Sequence, residues 1–394
     1  MSINDNDYLS FYYAGLNIFK DLPNLYNSLL SPFPFRYLPI SAYFFTPFSL
    51  LGLEIGYLIF QISNFFLNIL IIYLIYKIIH IYWKLRNGSN FQYELNHFKD
   101  IFKKTENESI LHQNAVLLIM TPQFMNYFLG QINLLVLIFV LSSLFYFLKG
   151  GVRNDLLGGL LLGLGVSIRP TLIFILPFLM RLHYNRETKK ITFNFKTTVL
   201  RLLGTMIIIF ISGVYFLIYP QMLIDFIDVN LAGKYTYAIE GGLEINPSFS
   251  LTRIILIFLQ LIGVSINGFL IFIIISLVIL VPIYFLHIQN SMKPTNLFNG
   301  YFAGILVTLI VYFDSWPHHL VVLTPFLIFF LLLHKEFKYR KLMKYSHYLL
   351  AILVVIFWGI FYLTYEFFPF NIGSLILMML LYYSLVIFYV NQVE

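Results

Sequence analysis

Long apolar runs separated by short polar stretches extend along almost the whole chain. A membrane-spanning helix needs about 20 such residues, and β-barrel strands would alternate instead. The candidate membrane segments are 37–53, 55–82, 111–129, 131–149, 155–168, 170–181, 198–220, 251–263, 265–288, 297–313, 318–334, 347–366 and 371–391. The pattern predicts an all-α fold, a polytopic transmembrane bundle of about 10–12 membrane helices that includes short re-entrant ones. We read residues 1–394 as a single integral membrane domain.

One apolar stretch, residues 155–181, is interrupted at Arg169-Pro170. Proline removes a backbone donor, and a charge at membrane depth is costly. We therefore expect two short helices that form a hairpin or re-entrant unit. A functional role and a packing role for this polar break both remain open.

Basic residues are concentrated between the apolar segments. Nineteen of the 25 Lys and Arg residues fall in four stretches, which are 77–104, 149–153, 181–201 and 335–344. Basic loops favour the cytoplasmic side of a membrane. The remaining loops then lie outside, and the outer regions are 1–36, 221–250 and 313–318. Residues 83–110 are predicted to form a cytoplasmic amphipathic linker.

The composition supports a membrane protein. The chain is 59% hydrophobic and 11% charged, whereas a soluble domain carries about 25% charged residues. The net charge of +7 is therefore attributed to loops that face lipid headgroups, and we expect no nucleic-acid partner. The absence of Cys excludes disulfides and thiolate-bound metals.

Acidic and basic side chains in the outer regions are candidates for chemistry. Asp5 and Asp7 stand shortly before Tyr12 and Tyr13. A carboxylate just outside a membrane can act as a general base or bind a cation, although a solvated acidic terminus would look the same. Arg36 could bind a phosphate through charge-assisted hydrogen bonds or serve only as an interfacial anchor.

Two further polar groups stand at the ends of apolar segments. Gln131 and Asn133 lie at the tip of a predicted hairpin, where they could have a function or join helices by hydrogen bonds. Trp316 precedes a His318-His319 pair at an outer edge. Paired histidines can bind a metal, but no third ligand has suitable spacing. We expect one imidazole to face a phosphate and the other to be structural.

In their order along the chain, these motifs resemble glycosyltransferase family 87, the polyprenyl-phosphate-sugar-dependent mannosyltransferases with the GT-C fold. The resemblance covers roughly residues 7–330. The motifs that carry it are Asp7–Ala14, Phe35–Pro39, Gly130–Asn133, Gly158–Pro170, Asn246 with Ser248 and Arg253, and Ser315–His319.

The resemblance implies an enzyme, a hexosyltransferase of GT-C type in the cell membrane, with catalytic loops on the extracytoplasmic face. It would move a hexose, mannose being usual in the family, from a polyprenyl-phosphate donor to a lipid- or glycan-linked acceptor hydroxyl, with inversion. The implied general base is Asp7, with Asp5 second. The implied phosphate ligands are Arg36, Arg253, His318 and His319. The implied substrate-binding residues are Tyr12, Tyr13, Tyr37, Gln131, Asn133, Asn246 and Trp316. The expected partners are the donor, the acceptor and membrane lipids. No cofactor is required, although the Asp5/Asp7 pair is compatible with a divalent cation.

The chain departs from the family pattern at two places. Family members carry a transmembrane helix before the acidic loop, whereas Asp7 follows Met1 by six residues, so the sequence leaves open whether a first helix precedes Met1. Pro317 stands where the family usually has an acidic residue. Two other functions also stay open: a lipid-linked sugar flippase with its site at Arg169, and a catalytically degenerate family member.

Overall fold

The computed structural model describes residues 6–26, 34–87, 120–185, 188–230, 248–264, 266–289, 294–334 and 336–393. Over these ranges the chain is a helical bundle with one short β-hairpin, so the predicted all-α polytopic fold is confirmed. Asp5 and Asn246 lie outside the described residues, as do 88–110 of the predicted linker and 231–247 of the predicted outer loop.

The helices and strands follow one another in this order. The α-helices are α1 (Tyr8–Lys20), α2 (Thr46–Ser49), α3 (Leu53–Asn87), α4 (Thr121–Phe128), α5 (Asn133–Lys149), α6 (Val152–Ile168), α7 (Leu176–Leu179), α8 (Phe195–Ile218), α9 (Pro220–Asn230), α10 (Leu251–Leu261), α11 (Gly268–Ile288), α12 (Pro294–Val311), α13 (Leu320–Leu333), α14 (Arg340–Thr364) and α15 (Ile372–Val393). The 3₁₀ helices are Leu22–Asn24, Pro39–Phe44, Pro170–Ile175 and Pro317–His319. The strands are β1 (Leu182–Asn185) and β2 (Lys190–Phe193), which pair antiparallel.

Five helices are long and apolar enough to cross a membrane, counted over the described ranges: α3, α8, α11, α14 and α15. Five further apolar segments are shorter, and they lie within 133–149, 170–179, 251–261, 295–311 and 317–333. Four of the shorter segments are mostly buried, the exception being 251–261, whereas the long helices expose much of their surface. The predicted mixture of full-length and short membrane helices is thus present.

Segment 37–53 was predicted as a membrane span, and this prediction is wrong. Two short helical pieces, Pro39–Phe44 and α2, take its place, each with a proline in its first turn. Proline suits a first turn but cannot continue a helix from the preceding one. The Thr46 hydroxyl donates to the Gly15 carbonyl at 3.2 Å and the Ser49 hydroxyl donates to the Tyr12 carbonyl at 2.9 Å. The segment therefore packs beneath α1.

The predicted break at Arg169-Pro170 is confirmed. Helix α6 ends at Ile168, Arg169 has non-helical torsion angles, and the chain resumes as the 3₁₀ helix Pro170–Ile175. Helix α12 packs against this second piece, and the Thr308 hydroxyl donates to the Thr171 carbonyl at 3.0 Å. The freed backbone thus finds partners inside the bundle, as non-helical backbone at membrane depth must.

Helices α6 and α8 approach closely because glycines line their contact. A Cβ atom at Gly159 would overlap the Arg201 carbonyl oxygen and lie 3.0 Å from the Gly204 Cα. At the same crossing, the Arg201 guanidinium is buried and its Nε donates to an Asp155 carboxylate oxygen at 2.8 Å. Small residues of this kind allow membrane helices to pack backbone to backbone.

Replacing Gly159 with alanine should therefore push α6 and α8 apart. We expect Gly159→Ala to destabilise the protein by about 1–3 kcal/mol, the usual cost of overpacking, which would appear as a lower melting temperature in detergent. Gly213→Ala is the matched control, because a Cβ at Gly213 on α8 meets nothing within 4 Å. Equal melting temperatures for the two variants would contradict the close crossing.

Candidate active site

A cavity of about 780 Å³ lies where several helix ends meet. Its polar lining comes from the segment before α1, the start of α5, the break after α6 and the turn after α12. Its polar and charged residues include Asp7, Ser10, Arg36, Gln131, Asn133, Arg169, Thr171, Asn230, Asp314, His318 and His319. Asp7 and the two histidines, which are more than 300 residues apart in sequence, therefore share one cavity.

The segment before α1 is fastened to the turn after α4. The buried Asn6 amide donates to the Phe128 carbonyl at 3.3 Å and to the Tyr57 hydroxyl at 3.1 Å, while its oxygen accepts from the Tyr8 backbone N–H at 2.9 Å. Gly130 has φ +63°, and a Cβ there would overlap the Asn6 side chain. This turn accordingly requires glycine, and it fixes the position of Asp7.

One side chain holds Asp7 at the cavity wall, and burial makes its carboxyl group a weaker acid than usual. The Gln131 amide donates to one oxygen of its carboxylate. Burial raises the pKa of Asp7 to about 6, while the charge of Arg36 and the hydrogen bond from Gln131 act to lower it. The group is consequently ionised at neutral pH yet close enough to its pKa to accept a proton, which suits a general base.

Arg169 brings a buried positive charge to the same cavity. Its Nη1 donates to the Asn133 side-chain oxygen at 2.6 Å, and the Asn133 amide in turn donates to the Asn126 side-chain oxygen at 3.0 Å. No carboxylate pairs with Arg169 in the part of the chain that the structure describes. A buried guanidinium with only amide partners favours an anion nearby. Arg169 was not among the predicted phosphate ligands, although the predicted helix break at Arg169-Pro170 indicated an unusual position for a charge.

Asp314 lies between two arginines. It forms an ion pair with Arg36, and its other oxygen lies 3.7 Å from Nη2 of the buried Arg253. The three groups together carry one net positive charge. Arg253 also donates to the Phe313 carbonyl at 3.4 Å and does not line the cavity. Arg253, which the resemblance implied as a phosphate ligand, therefore lies behind Asp314 and not at the cavity wall.

The two histidines are placed by the Pro317–His319 turn. The Trp316 backbone N–H donates to His319 Nδ1 at 3.1 Å, so a neutral His319 carries its proton on Nε2 and is a donor there. His318 Nδ1 is buried without a hydrogen-bond partner among the described residues. Within the same residues, no group of three His, Cys, Asp or Glu side chains is arranged to hold a metal.

The predicted substrate-binding residues fall into two sets. Tyr37 and Trp316 line the cavity with their rings, and the amides of Gln131 and Asn133 line it while engaged on Asp7 and Arg169. The rings of Tyr12 and Tyr13 contact each other at 5.4 Å and do not line it.

The mouth of the cavity is apolar and faces the outside of the bundle. Phe124 and Phe128 on α4 stack at 6.1 Å, line the cavity and remain 67% and 49% exposed. Trp358 and Tyr362 on α14 also line it, with ring centroids 4.9 Å apart. The cavity therefore joins a charged floor to an aromatic opening between α4 and α14, which is a shape suited to an amphiphile.

Comparison with known protein families decides the class of this protein. The model of glycosyltransferase family 87 matches residues 35–312. The chain belongs to glycosyltransferase family 87. It is therefore a membrane glycosyltransferase, and the predicted resemblance is confirmed. No curated protein and no solved structure matches the chain. The match includes Arg36, Gln131, Asn133 and Arg169.

The matched region of this glycosyltransferase does not extend to Asp7 or to the His318-His319 pair. Their association with Arg36 and Arg169 rests on the cavity that all of them line. The flippase hypothesis had placed its site at Arg169. Family membership instead favours the enzyme, and Arg169 takes its place in the same cavity as the acid.

Removing the charge of Asp314 should destabilise this glycosyltransferase. Asp314→Asn would leave Arg36 and the buried Arg253 close together without a carboxylate between them, and breaking a buried pair costs about 3–5 kcal/mol. We expect a clear fall in melting temperature in detergent. Asp225→Asn is the control, since among the described residues Asp225 accepts a single, exposed hydrogen bond, from Gln221 at 2.9 Å. A melting temperature equal to that of the control would contradict the buried pairing.

Proposed function

We propose that this glycosyltransferase moves a hexose from a polyprenyl-phosphate donor to the hydroxyl of a lipid- or glycan-linked acceptor, with inversion and on the extracytoplasmic face. One observation carries the proposal: Asp7 and Arg169 line the same cavity, and the mouth of that cavity is apolar. An acid, a cation without a carboxylate partner among the described residues, and an apolar opening for a lipid are the three features that support this reaction.

Asp7 is the proposed general base. The acceptor oxygen forms a bond to the anomeric carbon, its proton passes to the Asp7 carboxylate, and the bond from the anomeric carbon to the phosphate oxygen breaks. Gln131 occupies one carboxylate oxygen of Asp7, which leaves the other for the acceptor hydroxyl. Because attack and departure take place on opposite faces of the sugar, a single displacement inverts the anomeric centre.

The leaving lipid phosphate gains one negative charge when the glycosidic bond breaks. Arg169 can meet this charge without giving up a carboxylate partner, because its hydrogen bond goes to an amide. Arg36 belongs to a triad with one net positive charge, and His319 offers an N–H at Nε2. Donors fixed before the reaction are the most effective way to stabilise developing charge.

The donor lipid fits the opening between α4 and α14. A polyprenyl chain needs an apolar path from the bilayer to the charged floor, and the rings of Phe124, Phe128, Trp358 and Tyr362 provide one. The flat rings of Tyr37 and Trp316 suit the apolar faces of a sugar. Mannose as the transferred hexose rests on the resemblance to the family's mannosyltransferases.

The distribution of charge supports an extracytoplasmic site. The cavity gathers the helix ends that the basic-loop rule places outside, including the tip after α4 and the turn after α12. The basic residues Lys149, Arg153, Arg181 and Lys190 lie at other helix ends or in the β-hairpin and do not line the cavity.

Asp7→Asn should abolish sugar transfer while leaving the fold intact. General-base catalysis contributes about 10²–10⁴-fold in rate, and asparagine keeps the shape without accepting the proton. The assay is purified protein in lipid, incubated with radiolabelled polyprenyl-phosphate mannose and a panel of glycolipid and glycan acceptors. Asp21→Asn is the control, because Asp21 is exposed at the other end of α1 and contacts Asn24. Full activity in Asp7→Asn would overturn the assigned base.

The rate should depend on pH through the ionisation of Asp7. Its pKa is about 6, and only the carboxylate form accepts a proton. The rate at low acceptor concentration should therefore rise with pH through about 6, which is the acidic limb of the profile, and then level off. Gln131→Leu removes a hydrogen bond that lowers this pKa, so the acidic limb should move to higher pH. An acidic limb that stays in place in Gln131→Leu would argue against Asp7 as the titrating group.

A further inference from the structure

The β-hairpin between α7 and α8 has two chemically different faces. Across the antiparallel pair, Leu182 stands opposite Phe193 and Tyr184 opposite Ile191, so these four residues share one face. His183 and Asn185, with Thr192 and Lys190 opposite them, form the other face. Alternation along each strand therefore separates an apolar face from a polar face.

The apolar face is left largely uncovered by the rest of the protein. Ile191 is 65% exposed and Phe193 is 46% exposed, although β1 packs beside α11. Phe193 contacts the ring of Phe195, which is 66% exposed and begins α8. The exposed apolar surface of the strand thus continues directly onto a membrane helix.

The position of α8 places the hairpin at the membrane boundary. Helix α8 has 24 residues, and at 1.5 Å per residue it is about 36 Å long. The hydrocarbon core is about 30 Å thick, so the first turn of α8 lies where the core ends. Because Phe193 stands two residues before Phe195, the hairpin is at the same level and cannot extend far from the bilayer.

The charge around the hairpin is strongly positive. Residues 181–201 carry six Lys or Arg and one Glu. Lys189 and Lys190 are exposed at the end of the hairpin, and Lys196 is exposed in the first turn of α8. Exposed lysines beside an apolar surface at this level match anionic lipid headgroups above an acyl-chain region.

We propose that the paired strands β1 and β2 form an amphipathic ribbon that binds the anionic surface of the bilayer. Its apolar face, extended by Phe195, inserts at the boundary of headgroups and acyl chains. Lys189, Lys190 and Lys196 bind the headgroup phosphates. The occupant of this surface is the lipid leaflet, and it is a binding site separate from the cavity.

The absence of cysteine allows a direct test, because a single introduced cysteine can carry a nitroxide without background. Phe193→Cys and Thr192→Cys are neighbours on β2 that differ only in the face they occupy, and each is reconstituted as the full chain in phosphatidylcholine vesicles with about 30% phosphatidylglycerol. We expect the Phe193→Cys label to be more accessible to oxygen and the Thr192→Cys label to a water-soluble nickel chelate.

Two results would overturn this placement. Equal nickel accessibility at both positions would mean that the apolar face lies in water. Alternatively, the Phe193→Cys label could be shielded from both reagents while its spectrum broadens at higher protein density in the vesicles. That result would mean that a second copy of the chain covers the apolar face. A retained gel-filtration profile identifies variants that are folded.

Binding of the lysines to lipid headgroups is tested by comparing vesicles with and without phosphatidylglycerol. Omitting phosphatidylglycerol should make the Phe193→Cys label shallower, and replacing Lys189, Lys190 and Lys196 with glutamine should remove that lipid dependence. Replacing Lys338, Lys341 and Lys344 with glutamine changes the net charge equally elsewhere and should leave the dependence intact. Specific headgroup binding by the hairpin would be refuted if the depth of the label did not depend on phosphatidylglycerol. It would also be refuted if both triple variants changed that dependence equally.

Discussion

The hydrogen bond from Arg169 to Asn133 is the interaction on which the cavity depends. It joins the break after α6 to the first residue of α5, and it holds a buried guanidinium without neutralising it. A carboxylate in place of the Asn133 amide would form an ion pair with Arg169 that has no net charge. With an amide instead, the positive charge is not neutralised, so binding of the anion that we propose would offset part of the cost of burying Arg169.

The remaining charges of the cavity follow a related logic. Arg36 is directed by Asp314, and Asp314 is in turn supported by Arg253, so the triad keeps one positive charge while fixing its geometry. Asp7 feels the charge of Arg36 but forms no ion pair among the described residues, and a neutral amide orients it. A direct Asp7–arginine pair would lower the pKa of Asp7 and weaken it as a base. The amides of Gln131 and Asn133 thus position an acid and a cation in one cavity without letting them neutralise each other.

Some of this arrangement could be predicted from sequence, and the reason differs from residue to residue. Hydropathy predicted most helices, and the effect of proline on a helix predicted the break at Arg169. Both predictions succeed because they depend only on residues that are neighbours along the chain. Segment 37–53 misled the same reasoning, since its composition is apolar but Pro39 and Pro47 divide it into short turns. The contact between Gln131 and Asp7 spans 124 residues, and no local pattern reports such a pairing. The position of Arg253 behind Asp314 is likewise a fact of tertiary packing.

The two ends of the bundle handle buried charge in opposite ways, and the contrast bears on which end performs chemistry. At the crossing of α6 and α8, Arg201 is paired directly with Asp155, donates to a backbone carbonyl and packs over the ring of Phe147. Every feature there satisfies the charge and leaves nothing for a ligand. At the other end of α6, Arg169 is equally buried but lacks a described carboxylate partner and faces a cavity. Within the described residues, α6 therefore has a neutralised ion pair at one end and an arginine without a carboxylate partner at the other, and it is at this second end that binding an anion would gain free energy.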